Sequence, residues 1–215
     1  MMRAMILWYQ YTGDPAWRDR IDRMVDGLDR TVALHKEDYV YWPTGGWMEQ
    51  EYYQSCFVKG RGWKATDEPP NEKDIAEEGS LFNHQGAVPG ALATWYVLTG
   101  NEQALRLSGE WTRFLTKPQF WADWEGGDYP GVVGAEHAHW RGHFHGHINA
   151  LRSILEYALA ANDEQLKQFV RDGYEWARQP WFSRIGVVGD GQGCGCGRLI
   201  GLAVKLSYNG LGDYW

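Results

Sequence analysis

Residues 91–115 read ALATWYVLTGNEQALRLSGEWTRFL. Leu92, Trp95, Tyr96 and Thr99 recur at spacings of three and four, the period of one helix face. Thr99-Gly100-Asn101 then breaks the pattern. Glycine adopts the left-handed conformation that ends a helix, and asparagine caps the helix that follows. Apolar spacing resumes beyond the turn, so the stretch predicts a helical hairpin.

The same plan recurs along the chain. Residues 151–177, LRSILEYALAANDEQLKQFVRDGYEWA, place Ala161-Asn162-Asp163 at the turn and Ile154, Leu155, Ala158 and Leu159 on the apolar face. Residues 5–32, MILWYQYTGDPAWRDRIDRMVDGLDRTV, turn at Thr12-Gly13-Asp14, with Pro15 in the first turn of the next helix, where proline is favoured. Residues 197–215, GRLIGLAVKLSYNGLGDYW, begin a fourth hairpin that turns at Asn209-Gly210-Leu211-Gly212-Asp213. No long alternation of apolar and polar residues argues for a large sheet; short strands are expected only at 39–42 and 185–188. The expectation is a single all-α domain over 1–215, built of hairpins that stack into a solenoid or close into an α/α toroid. Superposing Thr12-Gly13 on Thr99-Gly100 puts the equivalent of His84 before Met1, and Trp215 falls where the last hairpin's second helix should start. The chain is therefore expected to be part of a larger toroid.

Bulk properties narrow the function classes. A net charge of −7 with 23% charged residues gives no basic field for nucleic acid. No apolar window reaches the ~18–20 residues of a membrane span, and the opening run is too short for a signal peptide. The compartment stays open. Thirteen Trp, 12 Tyr and 7 Phe can fill a core or line a cleft that stacks on sugar rings. Cys56, Cys194 and Cys196 do not make a disulfide framework; they read as free thiols, metal ligands or a nucleophile.

The chemistry-bearing residues share a register. His84 stands 16 residues before Gly100, His147 stands 15 before Asn162, and Cys196 stands 14 before Gly210. Near-equal offsets put all three at the starts of the first helices of successive hairpins, at one end of the domain. Unpaired N–H groups and the helix dipole there favour anionic groups and lower thiol pKa values. Five of the seven histidines lie in HAHWRGHFHGH, residues 137–147. Three readings stand side by side: substrate hydrogen bonding or acid–base work, a zinc site using His143 with Cys194 and Cys196, and a structural polar rim. No firm metal set is expected. Glycoside chemistry needs paired acids, and the pre-helix loops supply Glu77, Glu78, Asp128, Glu136 and Asp190. Glu136, His147, His84 and Asp128 are the expected catalytic residues. Trp140, Arg141, His143, His145 and Trp47 are the expected substrate contacts.

The hairpins ending in YTGD and LTGN, the helix HFHGHINALRSILEYAL and the terminal GCGCGRLIGLAVKLSYNGLGDYW together resemble bacterial α/α-toroid glycoside hydrolases of the β-L-arabinofuranosidase-like kind. The resemblance implies an oligo- or polysaccharide substrate and hydrolysis of a glycosidic bond. Those arabinofuranosidases use a zinc-bound cysteine, with three cysteines and a glutamate as ligands, two of the cysteines adjacent. Here Gly195 separates Cys194 from Cys196, and Gln54-Ser55 precedes Cys56 where a Glu-x-Cys is expected. Other toroid enzymes, the unsaturated uronyl hydrolases and polysaccharide lyases, use Asp, His, Tyr and Trp in the same mouth. The alternatives are thus a lyase or epimerase on the same scaffold, or a non-catalytic glycan-binding scaffold.

Overall fold

The computed structural model describes residues 1–32, 34–42, 85–117, 120–121, 138–140, 143–181 and 193–214. Seven helices account for 78% of them. In chain order these are α1 (Met2–Thr12), α2 (Pro15–Gly27), α3 (Val88–Thr99), α4 (Glu102–Leu115), α5 (Phe144–Ala161), α6 (Glu164–Trp181) and α7 (Gly193–Tyr208). A short π-helical turn, Leu28–Val32, extends α2, and strands β1 (Leu34–His35) and β2 (Val40–Tyr41) pair antiparallel. The all-α expectation holds. The second expected strand, at 185–188, lies outside the described residues.

Each expected turn is where the sequence puts it. Gly13, Gly100, Asn162 and Gly210 all take positive φ, at 67°, 72°, 55° and 71°. The carboxyl of Asp14 accepts from the Ala16 N–H at 2.9 Å, and that of Asp163 accepts from the Leu166 N–H at 2.9 Å. Asn101 caps α4 through the Ala104 N–H at 2.9 Å. Thr12 and Thr99, equivalent in the repeat, each donate back to the carbonyl four residues earlier, at 2.8 and 2.7 Å. These three chain reversals are thus satisfied locally, which is why the hairpins are legible one at a time.

Hairpin packing then sets the layers. α3 lies against α5 and α5 against α7, with α1 beside α3. α2, α4 and α6 each pack behind their own hairpin partner, or behind a neighbour of it. Two apolar clusters result. One joins α1 to α4 around Ile6, Ile21, Val25, Leu92, Trp95 and Trp111. The other joins α4 to α7 around Phe114, Trp121, Trp140, Phe144, Ile154 and Leu199. Polar groups stitch the first cluster. Asp22 accepts from Trp95 Nε1 at 2.8 Å and from Asn101 Nδ2 at 2.7 Å, tying α2 to the next hairpin's turn. Fully buried Gln85 grips the Trp42 backbone, accepting from its N–H at 2.6 Å and donating to its carbonyl at 2.9 Å, and it also accepts from Trp111 Nε1 at 2.7 Å.

One ion cluster joins α1, α5 and α7 across α3. The Glu156 side chain on α5 is 5% exposed. It accepts from both guanidinium nitrogens of Arg3 on α1 and lies 2.9 Å from Lys205 Nζ on α7 and 3.5 Å from Arg152 Nε on its own helix. Burial pushes its carboxyl up, but hydrogen bonds and charge from Arg3 and Lys205 more than offset that and hold it below 4.5. Arg3 reaches α5 across α3, and Gly90 makes the crossing. A Cβ at Gly90 would collide with Glu156 Oε2 and Arg3 Nη2 and stand 2.9 Å from Ser153 Oγ.

Gly90→Ala is therefore expected to destabilise the protein by about 2–4 kcal/mol, through overpacking and a disrupted buried pair. Gly27→Ala, where an added Cβ meets nothing within 4 Å, is the control. It is expected to be neutral or to stabilise by up to about 1 kcal/mol. Urea denaturation of the two variants checks both signs; equal effects would contradict the crossing.

Candidate functional site

The starts of α5 and α7 adjoin. Gly195, in the first turn of α7, is buried against Phe144, the first residue of α5, and an added Cβ would stand 2.9 Å from Phe144 Cδ1. This contact brings the histidines of one hairpin next to the cysteines of the next. His143 is the extended residue just before α5, with φ −71° and ψ 109°. The rings of His143 and His145 meet edge to face with centroids 5.8 Å apart. Their Nδ1 and Nε2 atoms, respectively, are buried without a hydrogen-bond partner among the described residues. Burial, then the charges of Arg198 and His143, lowers the His145 pKa. His145 is thus held neutral, in the form that accepts a proton or donates one hydrogen bond. Cys194 is an exposed free thiol and Cys196 a half-buried one. Arg198 follows one turn later on α7.

His147 has a different place from the one expected. It is fully buried, with Nδ1 2.9 Å from the His143 carbonyl and Nε2 2.7 Å from the Phe120 carbonyl. Trp140 stacks on its face at 5.0 Å and 6°, and Trp121 meets it edge-on at 5.0 Å. Burial pushes its pKa down to about 4, the two carbonyls offsetting part of that shift. The helix begins at Phe144, so His143 and His147 stand one turn apart, a spacing that can serve a zinc pair. Both ring nitrogens of His147, however, face carbonyls, and the neutral ring donates its single N–H to one of them. Its geometry is that of a side chain holding the start of α5, not of an acid–base group.

Trp140 is likewise a core residue. It is 1% exposed, with Trp176 at 4.5 Å and Trp121 at 5.8 Å. A sugar platform needs a free ring face, and His147 occupies this one. Trp121, Trp140 and Trp176, with Phe144 and Phe169, form the floor beneath the site rather than its wall.

Glu136, Asp128, His84, Arg141 and Trp47 lie outside the described residues, as do Glu77, Glu78, Asp190 and Cys56. Among the described residues no group of three or more His, Cys, Asp or Glu side chains is placed to hold a metal. No zinc donor set therefore assembles from His143, Cys194 and Cys196 alone. Two residues escaped the sequence reading. Gln85 is the buried anchor immediately after His84, and Arg198 is the cation facing His145. Arg198 had a signal, one turn beyond Cys194 on a helix already placed at the mouth; Gln85 had none, because its partners are 26 and 43 residues away. A cavity of about 480 Å³ opens elsewhere, between α4 and α6, over Gly109, Thr112, Arg113, Tyr157, Leu166 and Phe169. None of the candidate histidines or cysteines lines it. Among the described residues no helix is long and apolar enough to cross a membrane.

The state of His147 predicts a pH dependence. Below pH 6.5 the unfolded chain protonates this residue while the folded one stays neutral down to about 4. Stability is expected to fall across that window by on the order of 3 kcal/mol from this group alone. His147→Gln is expected to be less stable than the natural protein above pH 6.5, with the difference shrinking toward pH 4. Urea denaturation of both proteins along the series checks this; parallel stability curves would contradict a buried neutral ring.

Compared with known proteins, the chain matches no protein-family model, no curated protein and no solved structure.

Proposed function

We propose that the chain is a carbohydrate-active enzyme domain that cleaves a glycosidic bond at the starts of α5 and α7, with its hairpins arranged as in an α/α toroid. The observation that carries the reading is the contact of Gly195 with Phe144, which adjoins the helix starts that carry His143 and His145 on one side and Cys194, Cys196 and Arg198 on the other. Helix N-termini favour developing negative charge, and a neutral histidine beside an arginine suits a substrate of many hydroxyls and an occasional carboxylate. Glu136 is the proposed general acid and Asp128 its partner, and His84 is a further proposed catalytic residue. Arg141, His143, His145 and Trp47 are the proposed substrate contacts. His145 takes the acid–base role first expected of His147, and His147 positions the helix. If a metal takes part, Cys194, Cys196 and His143 are the residues of this chain that would supply donors to it.

One observation favours a second reading on the same residues. His145 is neutral and Arg198 is cationic. An arginine that holds a uronate carboxylate and a histidine that takes the neighbouring C5 proton would perform β-elimination, in which the C4–O bond breaks, a C4–C5 double bond forms and water protonates the departing oxygen, the chemistry of a polysaccharide lyase.

The test is a screen of the full chain against aryl glycosides and uronate oligosaccharides. Hydrolysis is expected to release the aryl group, with turnover falling at least about 100-fold in Glu136→Gln and about 10-fold or more in His145→Ala. A product absorbing in the ultraviolet, lost in His145→Ala, would replace hydrolysis with elimination. Absence of turnover on every substrate would overturn both readings.

A further inference from the structure

The four first helices present one common face. Counting back from the left-handed turn residues, Arg3, Gly90, Arg152 and Ile200 are equivalent positions. So are Leu7, Thr94, Glu156 and Val204, and so are Tyr11, Leu98, Ala160 and Tyr208. The stripe is exposed at its flanks: Leu7 and Tyr11 on α1, and Ile200, Val204 and Tyr208 on α7, are all at least 45% exposed. At its centre lies the ion cluster around Glu156.

That cluster is unbalanced. Three cations converge on one carboxylate, a local surplus of two positive charges in a protein whose net charge is −7. The carboxylate is saturated and 5% exposed, whereas the Arg3, Arg152 and Lys205 side chains keep 31%, 28% and 34% exposure. Arg152 is the least engaged. Its one charge contact is the 3.5 Å approach to Glu156, and its Nε has no hydrogen-bond partner among the described residues. A second polar group faces the same point. Ser153 is fully buried, its Oγ has no partner among the described residues, and a Cβ on Gly90 would meet that Oγ together with Arg3 Nη2 and Glu156 Oε2. A purely structural ion pair needs one cation for one carboxylate; here two further cations, spare guanidinium donors and an unpartnered hydroxyl surround it.

We propose that this face binds an oxyanion, a carboxylate or phosphate group, between Arg152, Arg3 and Lys205. A forked guanidinium matches two acceptor oxygens, and the flanking Tyr and aliphatic side chains would cover an uncharged body attached to the anion. The site is separate from the helix starts: on α5 Arg152 lies seven residues beyond His145, about 10 Å along the axis. The inference does not rest on glycoside chemistry there.

Isothermal titration of the full chain at low ionic strength, with inorganic phosphate in one arm and glucuronate in the other, tests it. Saturable millimolar binding of at least one probe is expected, and the stronger arm identifies the group. Arg152→Gln leaves both hydrogen-bonded partners of Glu156 in place and is expected to weaken binding about tenfold or more. Lys205→Gln is a second lesion with the same expected direction. Arg23→Gln, on the exposed side of α2, is expected to change nothing. Absence of saturable binding to both probes, or equal binding by wild type, Arg152→Gln and Lys205→Gln, would overturn the proposal.

Discussion

A carboxylate withdrawn from water must be met by charge or lose its own, and Glu156 is met from three helices at once. Arg3 approaches from α1, Lys205 from α7 and Arg152 from one turn earlier on α5. Only α3 stands between α1 and α5, and it yields at Gly90, where the side chain is absent. One residue thus fixes the spacing of the whole front layer. α3 must pass at backbone distance from the ion pair, α1 must bring its first turn over α3, and α7 must lie close enough for a lysine near its end to reach the middle of α5. Apolar packing alone would tolerate sliding along these helices; a paired, buried charge does not.

Everything at the candidate site follows from that alignment. With α5 and α7 locked side by side, Gly195 meets Phe144, and the helix starts that carry the histidines and the thiols adjoin. Below them His147 stacked on Trp140, with Trp121 edge-on to both and Trp176 tilted against Trp140, makes an aromatic floor. His147 fastens that floor to the backbone by its one N–H, between the His143 and Phe120 carbonyls. The same burial that makes it a good fastener pushes its pKa to about 4 and removes it from proton transfer near neutral pH. His145, two residues earlier on the opposite side of the helix, keeps an accessible edge and a neutral ring.

The fold was legible because its information is local. Thr12-Gly13-Asp14, Thr99-Gly100-Asn101 and Ala161-Asn162-Asp163 each contain their own helix stop and the next helix's cap, so the three hairpins and their register can be read without tertiary knowledge. The site was legible only as a place. Equal offsets put His84, His147 and Cys196 at helix starts, but the offset does not say which way a side chain points. His147 and His145 are two residues apart and differ by about 200° around the helix, enough to send one to the core and the other to the mouth. Trp140 read as a platform because an aromatic beside histidines looks the same in sequence whether its faces are free or filled. Glu156, Gly90 and Arg3 carried no local signal. Their partners are separated by up to 153 residues, and nothing in EYALAAN announces a charge hub.

The measurement that bears most directly on this account is a double-mutant cycle between Arg3 and Glu156, with Arg3→Met, Glu156→Gln and the double variant compared by urea denaturation. If the crossing over Gly90 ties the front layer together, the two substitutions are expected to couple by at least about 1 kcal/mol, because either one alone already breaks the contact between the two charges. Additive effects, within about 0.3–0.5 kcal/mol, would show that α1 and α5 are held by apolar packing without the ion pair, and would contradict the account.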